Sequence, residues 1–445
     1  MDVSYEGFVE AHEASLIQSA VPKRYWKTLW EKVMAQSFDA GDAFGLIEVN
    51  DESKGLPKDR PYRVVTRNAV DVSDPRCIWL VDHCWTWHDR AEASAQLKAH
   101  EGLAERMAAL MHLDTADESA ILDEMWRWCQ TYKLTVNNVA QSLWYVLDEF
   151  GCQLRHHGDA NFVLIPFYCQ NFGYSISVLF PRRSAVQCME VTRDYCYGVT
   201  DTDARRVQMM PWVKSKLSAP TVTCEKPRQF FEQIAEQLEM GTVMDPGMIP
   251  FISPPAANIQ VYTDTDHVRE SLSDSLFELV DNRDQADILW LNGPVLDFSK
   301  QFDSGPAQLV NSIPFQYLLT VKIDLAQLAR RTVLRTGAHA HWLPATYDIL
   351  TELESLCVEF NRRDAAGLDN VWMLKGQNEP KLTKDLNEIV RYRETQSPLL
   401  IQKFISNQMT LGGRAFSFRY YFMIKSIEPI EAFVIDTFQG EKSGA

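Results

Sequence analysis

VWMLKGQNEPKLTKDLNEIVRYRETQSPLLIQKF, residues 371–404, reads as strand, helix, strand. VWMLK and LLIQKF are short apolar runs of the kind that fill a strand. Between them Leu382, Leu386, Ile389 and Val390 recur at the three- and four-residue spacing that lines one face of a helix. Each strand delivers a lysine, Lys375 and Lys403. A third, Lys322, closes the apolar stretch NSIPFQYLLTVK and is read as strand-adjacent. A lysine leaving a strand end can meet phosphate oxygens as a point charge. The plainer reading of any one of them is a solvated side chain.

The same alternation continues on both sides. IQVYT and ADILWL precede the run, FRYYFMI and EAFVI follow it, and Leu350, Leu353, Cys357 and Phe360 mark another helix. Upstream lies a helix with Phe230, Phe231, Ile234 and Leu238, then a Pro- and Gly-rich region to Pro255. Before them SKLSAPTVTCEKPR is polar, carries two prolines and has no periodicity, as a linker does. Residues 1–35 are helical by spacing and are divided at Pro22. FGLIEV, YRVVT and CIWLV read as strands, followed by helical faces at Leu103, Met107, Leu110 and at Leu122, Met125, Trp126. LWYVL, FVLIPF, SISVLF and MEVT complete a strand-rich half. The expected architecture is α+β: a first domain over 1–213, a linker and connecting helix over 214–255, and a second domain over 256–445.

Composition narrows the function classes. Lys plus Arg number 44 against 60 Asp plus Glu, a formal charge of -16 that repels a nucleic-acid backbone or an anionic membrane at long range. Nine cysteines with no CxxC pair fit a reducing compartment better than a disulfide framework or a zinc site. The N-terminus is acidic and polar where a signal peptide is basic and then apolar, and no apolar run approaches the roughly 20 residues that span a bilayer. The expectation is a cytosolic protein with nuclear access.

The ordered succession of Asn311, Pro314 and LLTVK, then ARR at Ala329–Arg331, WLPATY, VWMLK, VRYRE, LLIQKFI and FRYYFMIKS resembles the tubulin-tyrosine ligase-like family, whose catalytic unit is an ATP-grasp fold. VPKRYW, DHCWT, MWRWCQTYKL and EVTRDYCYGVTD in the N-terminal half belong to the same resemblance. It implies that Lys322 and Lys375 meet ATP phosphates, that Gln402 and Lys403 lie at the hinge holding the adenine, and that Arg419 matches the arginine of the family's K-F-D-I-R strand. That strand reads RAFSFR here, with Ala415 in place of lysine and Ser417 in place of aspartate. The loop after Lys375 is short and lacks a glycine cluster. The chain also stops ten residues after Ile435, whereas the family's metal-binding carboxylates lie on later strands. The resemblance therefore implies a truncated ATP-grasp domain that binds ATP weakly, with no recognisable Mg²⁺ cage. Each missing electrostatic donor costs roughly 10²–10³ in rate.

QLRHHGDANFVLIPF followed by VTRDYCYG resembles a second set of motifs, those of SET-domain lysine methyltransferases. His157 and Asn161 match the run that contacts S-adenosylmethionine, and Tyr195 and Tyr197 match the pair that lines the lysine channel. His156, Gly158 and Ala160 replace residues of that run, and one residue is missing. The implication is a SET-like fold with a vestigial site; ordinary strand aromatics and surface histidines are the plainer alternative.

Arg330, Arg331 and Arg335, with His339 and His341, form a patch to which Arg391 and Arg393 add charge; it suits the acidic tail of tubulin or is simply a solvated surface. His83 and His88 show no metal spacing. The resulting expectation is a non-catalytic regulatory protein with tubulin or microtubules as partner and chromatin or histone as a second candidate. It would influence tyrosination, detyrosination and polyglutamylation of tubulin, and thereby mitosis and the spindle or centrosome. An active ATP-dependent tubulin ligase and a lysine methyltransferase are the alternatives.

Overall fold

The computed structural model describes residues 4–49, 62–136, 139–170, 172–213, 258–293, 295, 308–313, 315–337, 341–376, 380–395, 397, 399–427 and 429–442. The expected linker and the helix around Phe230 lie outside the described residues. By internal contact the chain divides into two units, Met1–Ser218 with Ile349–Leu399, and Ala219–Asp348 with Leu400–Ala445.

The first unit opens with α1 (Tyr5–Gln18) and α2 (Trp26–Ala35). The Ser4 hydroxyl caps α1 by accepting the Gly7 N–H at 3.1 Å. Phe8, His12 and Leu16, four apart, form its buried face, and Trp26, Leu29 and Val33 that of α2. β1 (Phe44–Glu48) and β2 (Tyr62–Thr66) pair as an antiparallel ribbon. β3 (Trp79–Val81), β4 (His83–Trp87), α3 (Arg90–Ala99), α4 (Leu103–Leu110), α5 (Glu118–Glu124), β5 (Cys129–Val136) and β6 (Val139–Leu147) come next. β7 (Arg155–His156), β8 (Phe162–Cys169), β9 (Tyr174–Pro181), β10 (Thr192–Arg193) and α6 (Thr202–Gln208) complete this stretch.

Two antiparallel sheets, β4-β6-β5 and β3-β9-β8, face the core with Trp87, Trp144 and Phe162 fully buried. Deleting a side chain of that size costs about 3–5 kcal/mol. The Phe44 ring meets Trp79 and Phe162 edge-on at 4.7 and 5.6 Å. Of MEVT only Thr192 is in a strand, because β10 is two residues long and pairs in parallel with β7. The second unit begins with a parallel sheet of β11 (Ile259–Thr263), β12 (Phe277–Leu279), β13 (Ile288–Trp290) and β14 (Leu309–Val310), in the order β12-β11-β13-β14. α7 (Lys322–Thr336) follows and ends at Gly337, which takes φ 70° and gives its N–H to the Val333 carbonyl at 2.8 Å. β15 (Thr346–Asp348) is the last element before the chain returns to the first unit.

The returning segment holds α8 (Leu353–Ala365), the hairpin of β16 (Trp372–Lys375) with β17 (Lys381–Thr383), and α9 (Leu386–Tyr392). α8 buries Leu353, Leu356, Cys357 and Phe360 on one face, whereas Leu350, expected on the same helix, lies in the turn before it. Tyr392 lies edge-on to Trp144 at 5.7 Å, which ties the segment to the core of the same unit. β18 (Leu400–Lys403) then pairs antiparallel with β15, and β19 (Thr410–Leu411), β20 (Arg414–Ile427) and β21 (Ile430–Lys442) form an antiparallel sheet in that order. Among the described residues no helix is long and apolar enough to cross a membrane.

Candidate functional site

The parallel pairing of β7 with β10 brings the two SET-like motif stretches side by side. The Tyr195 N–H donates to His156 Nδ1 at 3.1 Å, and the two rings lie 5.3 Å apart. Burial lowers the pKa of His156, and Asp194 beside it only partly opposes that shift. Asn161 is 4% exposed and its amide is engaged inward: Nδ2 donates to the Glu190 carbonyl at 2.8 Å, while Oδ1 accepts from the Thr192 N–H and hydroxyl at 2.9 and 3.0 Å. The Tyr195 hydroxyl donates to the Leu154 carbonyl at 3.0 Å, with the Arg193 guanidinium 4.5 Å above its ring and Trp212 4.7 Å away. His157 is exposed and accepts the Asp159 N–H on Nδ1. Tyr197 is 47% exposed. Asn161 and the Tyr195 hydroxyl thus clip local backbone together, and they do not fit the donor set that S-adenosylmethionine would need.

The ligase-like positions divide between the units. Lys375 ends β16 in the first. Lys322 was expected beside a strand, but it opens α7 and is exposed. The residues after it explain the difference, since Leu325, Leu328 and Val333 repeat at helical spacing. Gln402 and Lys403 lie on β18 with Gln402 opposite Thr346. Gln402 Nε2 donates to the Thr346 hydroxyl at 2.9 Å, and Arg330 of α7 donates to the Thr346 carbonyl with its guanidinium 5.2 Å from the Tyr347 ring. Lys403 is 9% exposed and its Nζ donates to the Phe404 carbonyl at 2.7 Å. Gln402 and Arg330 therefore gather on Thr346, a cluster that the sequence reading missed. Its one signal was spacing: Arg330 follows the buried Ala326 by four residues on the same helix. Arg419 is exposed in the middle of β20 opposite Gln439; Ala415 lies opposite Thr410 and Ser417 opposite Glu441. Among the described residues no group of three or more His, Cys, Asp or Glu side chains could hold a metal ion. These donors do not fit an Mg²⁺ cage, and no reaction step through Mg-ATP follows from them.

Arg391 corrects the charged-patch reading. It is 1% exposed, gives one N–H to the Cys129 carbonyl and another to Glu394 at 2.5 Å, and lies 4.8 Å over the Trp212 ring. Arg393 donates to the Leu350 carbonyl at 3.3 Å. His83 is held neutral, its pKa pushed down to about 3 by burial, with Nε2 2.9 Å from the Ser177 hydroxyl and its ring stacked on Tyr145 at 3.7 Å. His88 is exposed and His339 lies outside the described residues.

Residues 55–216 match the tubulin tyrosine ligase SET-like domain and residues 300–438 match the tubulin-tyrosine ligase family, so a SET-like domain precedes a ligase-type domain along the chain. Human tubulin-tyrosine ligase-like protein 12 is 32% identical over 468 residues, covering 97% of this chain and 72% of the relative. The mouse protein of the same name is 31% identical with the same coverage, and that of Caenorhabditis elegans is 26% identical over 518 residues, covering 98% of this chain and 76% of the relative. The chain therefore belongs to the tubulin-tyrosine ligase-like family, as a homologue of its protein 12 members.

Proposed function

We propose that this chain acts by binding rather than by catalysis, as a regulatory member of its family that influences tyrosination, detyrosination and polyglutamylation of tubulin tails. The observation that carries the reading is the use made of the site residues. Asn161 and the Tyr195 hydroxyl are committed to backbone groups, and Ala415 and Ser417 on β20 have neither the charge nor the carboxylate that a phosphate and its metal require. Any ATP held through Lys322, Lys375, Gln402, Lys403 or Arg419 is bound weakly and not turned over. The partner is tubulin or microtubules, with chromatin or histone as the second candidate, in the cytoplasm and at the spindle.

Tubulin binding is the direct test. Co-sedimentation of the purified chain with microtubules, repeated with microtubules stripped of their acidic tails by subtilisin, should show binding that falls when the tails are removed. Absence of the chain from the pellet at micromolar tubulin contradicts the proposal.

A further inference from the structure

Two thiols of the first unit converge on one oxygen. Cys84 Sγ donates to the Leu147 carbonyl at 3.0 Å, and Cys152 Sγ donates to the same carbonyl at 3.2 Å. The sulfurs are therefore no farther apart than those two bonds laid end to end, about 6 Å, and any angle between the bonds brings them closer. Each backbone segment is shaped to aim its thiol there. In the β4–β6 ladder His83 faces Leu147 and Trp85 faces Val146, so Cys84 is the extra residue of a bulge, a feature that re-aims a side chain. Cys152 lies in the short turn Gly151–Gln153 after β6, and its N–H donates to the Asp148 carbonyl at 3.0 Å. Asp148 clamps the two segments together. Its carboxylate accepts the Gly151 N–H at 2.7 Å and the Asp82 N–H at 3.2 Å, and its own N–H donates to the Asp82 carbonyl at 3.0 Å.

We infer that Cys84 and Cys152 form a reversible modification site, which closes to a disulfide under a peroxide oxidant and reopens under a dithiol. Cys84 is partly exposed whereas Cys152 is 3% exposed, so Cys84 meets the oxidant first. Its thiolate sulfur attacks one peroxide oxygen and the O–O bond breaks. The products are Cys84 sulfenic acid and one water, formed when the thiol proton joins the departing hydroxide. The Cys152 sulfur then attacks the Cys84 sulfur: the S–S bond forms, the S–O bond breaks, and the hydroxyl leaves with the Cys152 proton as a second water. Two electrons pass from the thiols to the peroxide. Burial pushes the Cys84 thiol up to about 12, with the Arg106 guanidinium opposing that shift, so little thiolate is present at neutral pH and closure is slow. The pair answers sustained oxidation rather than a brief pulse. Once closed, the bond ties the bulge of β4 to the turn that leads into Leu154, whose carbonyl accepts the Tyr195 hydroxyl at the SET-like site.

Oxidation of the folded 445-residue chain tests this: hydrogen peroxide at pH 8 for several hours, alkylation of the remaining thiols in denaturant, and peptide mapping by mass spectrometry. The expected result is a linked Cys84–Cys152 peptide, two hydrogens lighter than the separate thiol peptides and split by dithiothreitol. The same treatment in concentrated urea should lower its yield at least tenfold, because unfolding removes the proximity of the two sulfurs. Cys152→Ser should instead leave Cys84 as a sulfenic acid that dimedone traps, while Cys188→Ser, at an exposed cysteine, should keep the link. Mapping of the unsubstituted chain decides the matter even where a variant fails to fold. The inference is overturned if both thiols are recovered unoxidised once Cys188 is fully oxidised, if either is joined mainly to another cysteine, or if urea leaves the yield unchanged.

Discussion

Replacing Arg391 with methionine should destabilise the first unit by about 3–5 kcal/mol, because it strips one partner from a buried ion pair. The guanidinium is 1% exposed and satisfies the Cys129 carbonyl and the Glu394 carboxylate at once, and methionine keeps the stem that packs on Trp212 but supplies no donor. The carbonyl alone, left without a donor, costs about 1–3 kcal/mol, and the carboxylate more. In a unit of this size the loss lowers the melting temperature by about 8–15 °C. Tryptophan fluorescence is the suitable probe, since Trp212 lies against the pair and Trp126 and Trp144 flank Tyr392.

The double variant Arg391→Met with Glu394→Gln should recover much of the loss, because it removes the stranded charge. Burial already raises the pKa of Glu394, with Arg391 opposing it. Without Arg391 the folded-state pKa rises further above the unfolded value, so the variant should regain stability as the pH falls from 7 towards 5. A loss below 1 kcal/mol, or single-variant effects that simply add, would refute the reasoning. The consequence extends beyond stability, because α9 and the β16 strand that ends in Lys375 belong to the same returning segment.

Three further outcomes can be checked by denaturant unfolding. His83 takes up its proton readily only when unfolded, since burial holds its folded pKa down to about 3; its contribution is complete above about pH 6.5 and is lost as the pH falls, by about 2 kcal/mol at pH 5. His83→Gln should flatten the pH dependence by about one proton over that range, and an unchanged slope would contradict the assignment. Asp385 caps α9 by accepting the Asn387 N–H at 2.8 Å, while burial pushes its pKa up to about 6. Asparagine caps equally well without the buried charge, so Asp385→Asn should stabilise by about 1–2 kcal/mol at pH 7 and by little at pH 4; destabilisation at pH 7 would be the contrary result. A Cβ on Gly151 would lie 2.6 Å from Val81 Cγ1 and 2.8 Å from Leu147 Cβ, so Gly151→Ala should cost about 1–3 kcal/mol, and a neutral effect would show that this turn yields.

The elements were legible where the apolar pattern is local. FGLIE, YRVVT, SISVLF, IQVYT and FRYYFMI all lie in strands, and Leu353, Cys357 and Phe360 form one face of α8. Lys322 was misplaced because an apolar stretch such as QYLLTVK carries no period of its own, and only the residues after it reveal α7. Arg391 was unreadable for a different reason. Its partners Cys129 and Trp212 are far away in sequence, and α9 buries Glu388, Ile389, Val390 and Arg391 in succession, so no amphipathic stripe separates the inward arginine from a solvated one. At the SET-like site the Tyr195 N–H reaches His156, so residues of the two motif stretches lie side by side. What the side chains do there depends on the backbone groups of Leu154 and Glu190, which no pattern of residue types encodes.

Absence of turnover is addressed directly by one assay: incorporation of labelled tyrosine and, separately, labelled glutamate into purified tubulin by this chain with saturating Mg-ATP. The expected incorporation equals that of a reaction without the protein. Label entering the tubulin tail above that background, and lost in Lys375→Ala, would contradict it.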